Sequence, residues 1–121
     1  MLALIAGQGR LPAVLASSLD QPPLVASLEG FIPDGLPVDL TFGIENLGSF
    51  MAELKAKGVT EVCFAGAVRR PPLDPSAIDA ATMPLVPQIV HALQLGDDAA
   101  LRVVLEIFEE AGLSIDRKSV V

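Results

Sequence analysis

With 121 residues, 51% of them hydrophobic, the chain is long enough for one packed domain and too apolar to stay disordered. A formal net charge of −7 lacks the clustered basic surface that nucleic-acid phosphates need, and 4% aromatic content without Trp or Tyr gives bases little to stack on. The single cysteine, Cys63, cannot form an intrachain disulfide; inside an apolar run it reads as a small buried hydrophobe rather than a nucleophile.

Residues 2–6 form an apolar run with no polar alternation, which predicts a strand buried on both faces. The run is too short for the apolar region of a signal peptide, lacks a basic start and leads straight into Gly7. No window approaches a membrane span, so the expected compartment is the cytoplasm. Gly7-Gln8-Gly9-Arg10 is a turn, followed by a helix over 11–19 with Pro12 tolerated in its first turn. Apolar runs at 23–28 and 38–42 predict two more strands around a Gly30–Gly35 loop. Ile44, Leu47, Phe50, Met51 and Leu54 recur at helical spacing, and Gly58 stops that helix. A fourth strand covers 62–65.

Beyond Pro71 the chain changes character. Pro72, Pro75, Pro84 and Pro87 punctuate a loop before a short helix at 87–95. Gly96-Asp97-Asp98 then predicts a turn in which Asp97 or Asp98 caps a helix running from Ala99 to Glu110. Gly112 ends that helix, and 113–115 begin another strand. Strand, helix, strand, strand, helix, strand is the order of an α/β fold: a parallel sheet with flanking helices, three-layer α/β/α if successive helices fall on opposite faces.

Two stretches carry chemistry. The fourth strand opens into Gly66, with Arg69 and Arg70 close behind: a glycine turn bearing two fixed cations at the carboxyl edge of a sheet, suited to an anion. Gly7-Gln8-Gly9, after the first strand and before a helix, offers backbone N–H groups at a helix amino end, which also suits a phosphate. A dinucleotide fingerprint would place a third glycine where Pro12 stands, and Glu29 is the nearest candidate for its ribose-binding acid, so nicotinamide-cofactor binding is weakly supported. Both turns should share one edge of the sheet. His91 has no Cys or carboxylate at metal-ligand spacing, and Glu106, Glu109 and Glu110 read as a solvated helix face.

Taken together, Leu4-Ile5-Ala6-Gly7-Gln8-Gly9-Arg10-Leu11-Pro12, Phe64-Ala65-Gly66-Ala67-Val68-Arg69-Arg70-Pro71 and Gly96-Asp97-Asp98-Ala99-Ala100-Leu101-Arg102 resemble, in order and spacing, the N-terminal domain of the LpxI family of UDP-2,3-diacylglucosamine pyrophosphatases. Leu47-Gly48-Ser49-Phe50 is similar to that family's Gly-Lys helix start, with Ser49 where lysine is common, and the segment from Phe108 to Leu113 also fits. The resemblance covers residues 1 to about 115. It implies a Rossmann-like domain of a magnesium-dependent hydrolase that cleaves UDP-2,3-diacylglucosamine to UMP and 2,3-diacylglucosamine 1-phosphate in lipid A synthesis. The ligand would lie against a C-terminal domain of different fold, which supplies the metal-binding acid and is absent here. The partner is thus a nucleotide-sugar lipid, with peripheral membrane contact through that substrate.

On this reading the substrate-binding residues are Gly7, Gln8, Gly9, Gly66, Val68, Arg69 and Arg70, with Asp97, Asp98 and Arg102 as secondary candidates; no catalytic or metal-binding residue is expected in this chain. The alternative is a stand-alone nucleotide- or phosphate-binding module without catalysis, or an interaction domain whose apolar edge meets a missing partner. Residues 116–121 do not resemble the family's continuation. Their back-translation, GAT CGG AAG AGC GTC GTG, matches the start of a common sequencing adapter whose next triplet is a stop, so this tail is expected to be non-native.

Overall fold

A computed structural model describes residues 1–66 and 73–115; the side chains of Asp97 and Asp98 lie outside that description. The chain runs β1 (Leu2–Ala6), α1 (Leu11–Ser18), β2 (Leu24–Leu28), β3 (Leu40–Phe42), α2 (Leu47–Ala56), β4 (Glu61–Ala65), α3 (Val86–Leu93), α4 (Asp97–Glu110) and β5 (Ser114–Ile115). Single 3₁₀ turns precede α2 (Ile44–Asn46) and α3 (Met83–Leu85), and a third covers Pro75–Ala77.

The five strands form one sheet in the order β3-β2-β1-β4-β5, and every described pairing is parallel. The expected neighbours β1 and β4 pair along their whole length, from Leu2 opposite Glu61 to Ala6 opposite Ala65. Alternation along these strands sends side chains to two cores. Ala3, Ile5, Ala26, Val62 and Phe64 face one side; Leu4, Ala6, Val25, Cys63 and Ala65 face the other. Helices α2, α3 and α4 cover the first side, and α1 covers the second with Leu15 and Ala16, aided by Leu36 and Val38 from the β2–β3 connection. The result is the expected three-layer α/β/α architecture.

The handedness of crossovers explains this split. From β1 to β2 to β3 the chain steps one way across the sheet; from β3 to β4 to β5 it steps the other way. Right-handed crossovers in opposite directions put their connections on opposite faces. The larger core is threaded by phenylalanines. Phe42 and Phe50 stack with centroids 4.0 Å apart, and Phe108 meets Phe50 and Phe64 edge-on at 6.4 and 5.5 Å. Such pairs add about 0.5–1.5 kcal/mol each beyond burial. Cys63 is buried in the smaller core, and His91 is exposed on α3.

Several boundaries shift by one to three residues from those expected, among them β3 at its start and α3 at both ends, and one shift bears on the candidate site. Helix α4 begins at Asp97, not Ala99, and its N-cap is Gly96, in an extended conformation (φ −69°, ψ 163°). Asp97 and Asp98 therefore sit inside the first turn instead of capping it. The preference of carboxylates for the positive end of a helix applies equally there, so sequence alone could not separate the two placements.

Candidate functional site at the switch point of the sheet

The direction of chain travel reverses between β1 and β4. In an open α/β sheet that reversal leaves a crevice beyond the carboxyl ends of the two strands, because the connections leave toward opposite faces. Gly7 follows β1 there and Gly66 follows β4. The two glycines are in direct contact: a Cβ on Gly66 would lie 2.7 Å from the Gly7 carbonyl carbon and 2.8 Å from its oxygen. Gly66 also has φ +94°, so both space and backbone conformation require glycine.

The turn itself departs from the expectation in one respect. Gly7 N–H donates to Ala65 O at 2.7 Å, extending the β1–β4 ladder by one bond. It is therefore not available to a ligand, and the pairing continues to Gln8, which stands in a β-bridge. Gln8 is exposed and Gly9 half-buried at φ +100°, with its carbonyl accepting from Asp34 N–H at 3.0 Å. Arg10 occupies the N-cap of α1, no side chain caps that helix, and its first turn contains no acid. An exposed cation at a positive helix end is electrostatically unfavourable by about 0.3–1 kcal/mol. An anion bound between them would convert that cost into attraction. Arg10 lies in the first of the three family-like stretches but outside the predicted site; its adjacency to the glycine turn was the available signal.

The amino end of α2, by contrast, is already closed. Gly48 N–H donates to Thr82 Oγ1 at 2.9 Å, and Thr82 is fully buried. Thr82 in turn donates from its N–H and hydroxyl to Asp79 Oδ1, at 2.9 and 2.6 Å, while Ser49 Oγ donates to Asp79 Oδ2 at 2.7 Å. A side chain on Gly48 would overlap Ala81 O, so this close approach also requires glycine. Glu45 completes the clasp: its carbonyl accepts from Asp79 N–H at 3.2 Å and its Oε2 from Asp74 N–H at 2.9 Å. Residues 74–82 are thereby pinned to the amino end of α2 and the 3₁₀ turn before it. Ser49 serves here as a donor within that clasp.

The Thr82 and Ser49 hydroxyls hold the Asp79 carboxyl below its ordinary value of 3.8, and Ser76, through its hydroxyl and N–H, does the same for Asp74. The bonds from Gly48 to Thr82 and from Ser49 to Asp79 were not predicted, because their partners stand 34 and 30 residues apart and no periodicity links them; those of Asp74 with Ser76 and Asp79 with Thr82 are local turns within two or three residues.

Of the predicted site residues, then, Gly7, Gln8, Gly9 and Gly66 meet at the switch point. Val68, Arg69 and Arg70 lie outside the described residues. Asp97 and Asp98 occupy the first turn of α4, and Arg102 is exposed one turn further on. Because α4 feeds a strand parallel to β4, its amino end faces the same edge of the sheet as the glycine turns. Among the described residues no three His, Cys, Asp or Glu side chains converge to hold a metal ion. No described helix is long and apolar enough to cross a membrane.

The sequence matches the LpxI N-terminal domain family across residues 1–121. It is 38% identical over 120 residues to the UDP-2,3-diacylglucosamine pyrophosphatase LpxI of Caulobacter vibrioides, an alignment covering 95% of this chain and 43% of that protein. The chain thus spans less than half the length of this curated relative. With two glycine turns packed at the switch point of a parallel sheet and a family match along its whole length, the chain belongs to the LpxI N-terminal domain family.

Proposed function

We propose that this chain is the nucleotide- and pyrophosphate-holding domain of a cytoplasmic, magnesium-dependent hydrolase that cleaves UDP-2,3-diacylglucosamine to UMP and 2,3-diacylglucosamine 1-phosphate in lipid A synthesis. The observation that carries this reading is the contact of Gly66 with Gly7 at the switch point, which brings the two anion-suited stretches to one crevice. Gln8, Gly9 and the uncapped amino end of α1 would present N–H donors to the pyrophosphate, with Arg10 adding charge. Arg69 and Arg70 would supply charge-assisted hydrogen bonds to its oxygens, and Val68 with Gly66 would line the approach. Asp97, Asp98 and Arg102 form a second polar group at the amino end of α4.

The described residues do not suit magnesium, since no three acids converge. The metal would be held by the part of the relative's length that this chain does not span. The work of this domain is to bind and orient. Water adds across the anhydride only when the two phosphoryl groups are held still and their charge is offset, and positioning is what glycine turns and arginines provide. The substrate's acyl chains would keep the assembled enzyme at the membrane surface.

In a chain extended to the relative's full length, Arg69→Ala and Arg70→Ala should each lower kcat/KM by roughly ten- to a hundredfold, the loss of one charge-assisted contact of about 1.5–3 kcal/mol. UMP release measured against substrate concentration checks this. Unchanged kinetics in both variants would make the arginines solvated bystanders.

A further inference from the structure

We propose that Glu29 reads the ribose of the bound nucleotide, its carboxylate accepting hydrogen bonds from the 2′- and 3′-hydroxyls; this rests on the reading of the glycine turn as a diphosphate site. The register places it there. β1 and β2 are adjacent and parallel, with Ile5 opposite Ala26, so the strands leave the sheet together, β1 into Gly7-Gln8 and β2 into Glu29. Adjacent strands lie about 4.8 Å apart. An acid one strand over from a phosphate-holding turn is separated from it by about the width of the sugar that joins a diphosphate to its base.

Its backbone is fixed. Glu29 N–H donates to Phe42 O at 2.8 Å, and Gly30, at φ +89°, turns the chain away immediately afterwards. The side chain is exposed, and it lies over the end of β3: Oε2 is 3.6 Å from where a Cβ on Gly43 would stand. The same point lies 3.0 Å from Glu45 Oε1 and 3.6 Å from Asn46 Oδ1, so the space that glycine frees is shared by three side-chain oxygens. The other acids along this stretch are occupied by the protein itself, Glu45 by Asp74 N–H, and Asp79 by Thr82 and Ser49. Glu29 has no part in that clasp.

The chemistry follows from the donor set of a ribose. Two vicinal hydroxyls match the two oxygens of one carboxylate, and hydrogen bonds to an ionised acceptor are about twice as strong as neutral ones. Dinucleotide-binding folds use an acid about twenty residues past the glycine turn, at the end of the second strand, for this contact. Glu29 has that position relative to Gly9, although the third glycine of the fingerprint is replaced by Pro12. The same negative charge would repel a 2′-phosphorylated ribose, so the ligand class is an unmodified ribonucleoside diphosphate or its sugar ester.

The test uses this chain with UDP and 2′-deoxy-UDP, following the Gly9 and Gln8 amides by NMR titration. Wild type should bind UDP about tenfold more tightly than 2′-deoxy-UDP. Glu29→Ala should lose that preference, weakening UDP by about tenfold more than 2′-deoxy-UDP, which forfeits only its 3′-hydroxyl contact, and Glu29→Gln, isosteric and uncharged, should fall between. A general structural effect would weaken both nucleotides and leave the ratio intact. Equal binding of the two nucleotides by wild type, or a preference that survives Glu29→Ala, overturns the assignment of Glu29. Absence of any response to either nucleotide overturns the diphosphate site itself, and the ribose contact with it.

Discussion

Gly66 and Gly9 share a positive φ for different reasons, and substitution should separate them. At Gly9 an added Cβ would meet nothing within 4 Å, so Gly9→Ala carries backbone strain alone, about 1–2 kcal/mol. At Gly66 the same strain is joined by a clash with the Gly7 backbone, which cannot move without breaking the bond from Gly7 N–H to Ala65 O. Gly66→Ala should therefore cost about 3–5 kcal/mol, strain and overpacking together. Urea unfolding of both variants checks the difference; equal losses would mean that the β4 turn relaxes away from Gly7. The need for glycine at 66 was legible as a break in an apolar run, but its contact with Gly7 was not, since the two lie far apart in the chain. Gly7 shows the converse: its place after a strand was readable, yet the partner of its N–H depends on which strand pairs beside it.

At the level of elements, the strands and helices were legible because each apolar run or helical spacing answers to one buried face. Leu47, Phe50, Met51 and Leu54 are all buried, as their spacing requires. What escaped was the stretch 74–82, where prolines hide any period and the structure is set by Asp74, Asp79 and Thr82 reaching Glu45, Gly48 and Ser49. Thr82→Val removes the acceptor of the Gly48 N–H and a donor to Asp79 inside a fully buried site, and should cost about 1–3 kcal/mol. Thr82→Ser keeps the hydroxyl and should lose less. The clasp also predicts an acid dependence. Asp79 has a folded pKa below its ordinary 3.8, so its contribution to stability is fully present above that pH and is lost as pH falls through the lower folded value. The gap in unfolding midpoint between wild type and Asp79→Asn should hold steady at neutral pH and close below pH 3.8. A gap that stays constant into strong acid would mean that the carboxylate's charge contributes nothing.

For the whole molecule, the division of labour is set by where its acids are. Glu45, Asp74 and Asp79 are bound into the clasp beside α2, and Glu106 lies exposed on α4. Glu110 accepts from Gln88 across the α3–α4 pair. Glu29, just past the end of β2, shares the space beside Gly43 with Glu45 but not the hydrogen bonds of the clasp. None of these positions puts several carboxylates on one point, and among the described residues no metal-holding group of three exists. Hydrolysis of a pyrophosphate needs its negative charge neutralised and its water oriented at the same centre, a task that metal-binding carboxylates ordinarily perform. Glycine amides and arginines can hold the ligand but do not activate water. The purified 121-residue chain, given magnesium and UDP-2,3-diacylglucosamine, should therefore release no UMP above background while still binding UDP at the Gly7–Arg10 turn. Chromatographic detection of UMP alongside a UDP titration measures both in one preparation. Sustained turnover by the chain alone would show that the activating acids lie within it, and Asp97 and Asp98, at the amino end of α4 facing the same edge of the sheet, would be the first pair to replace.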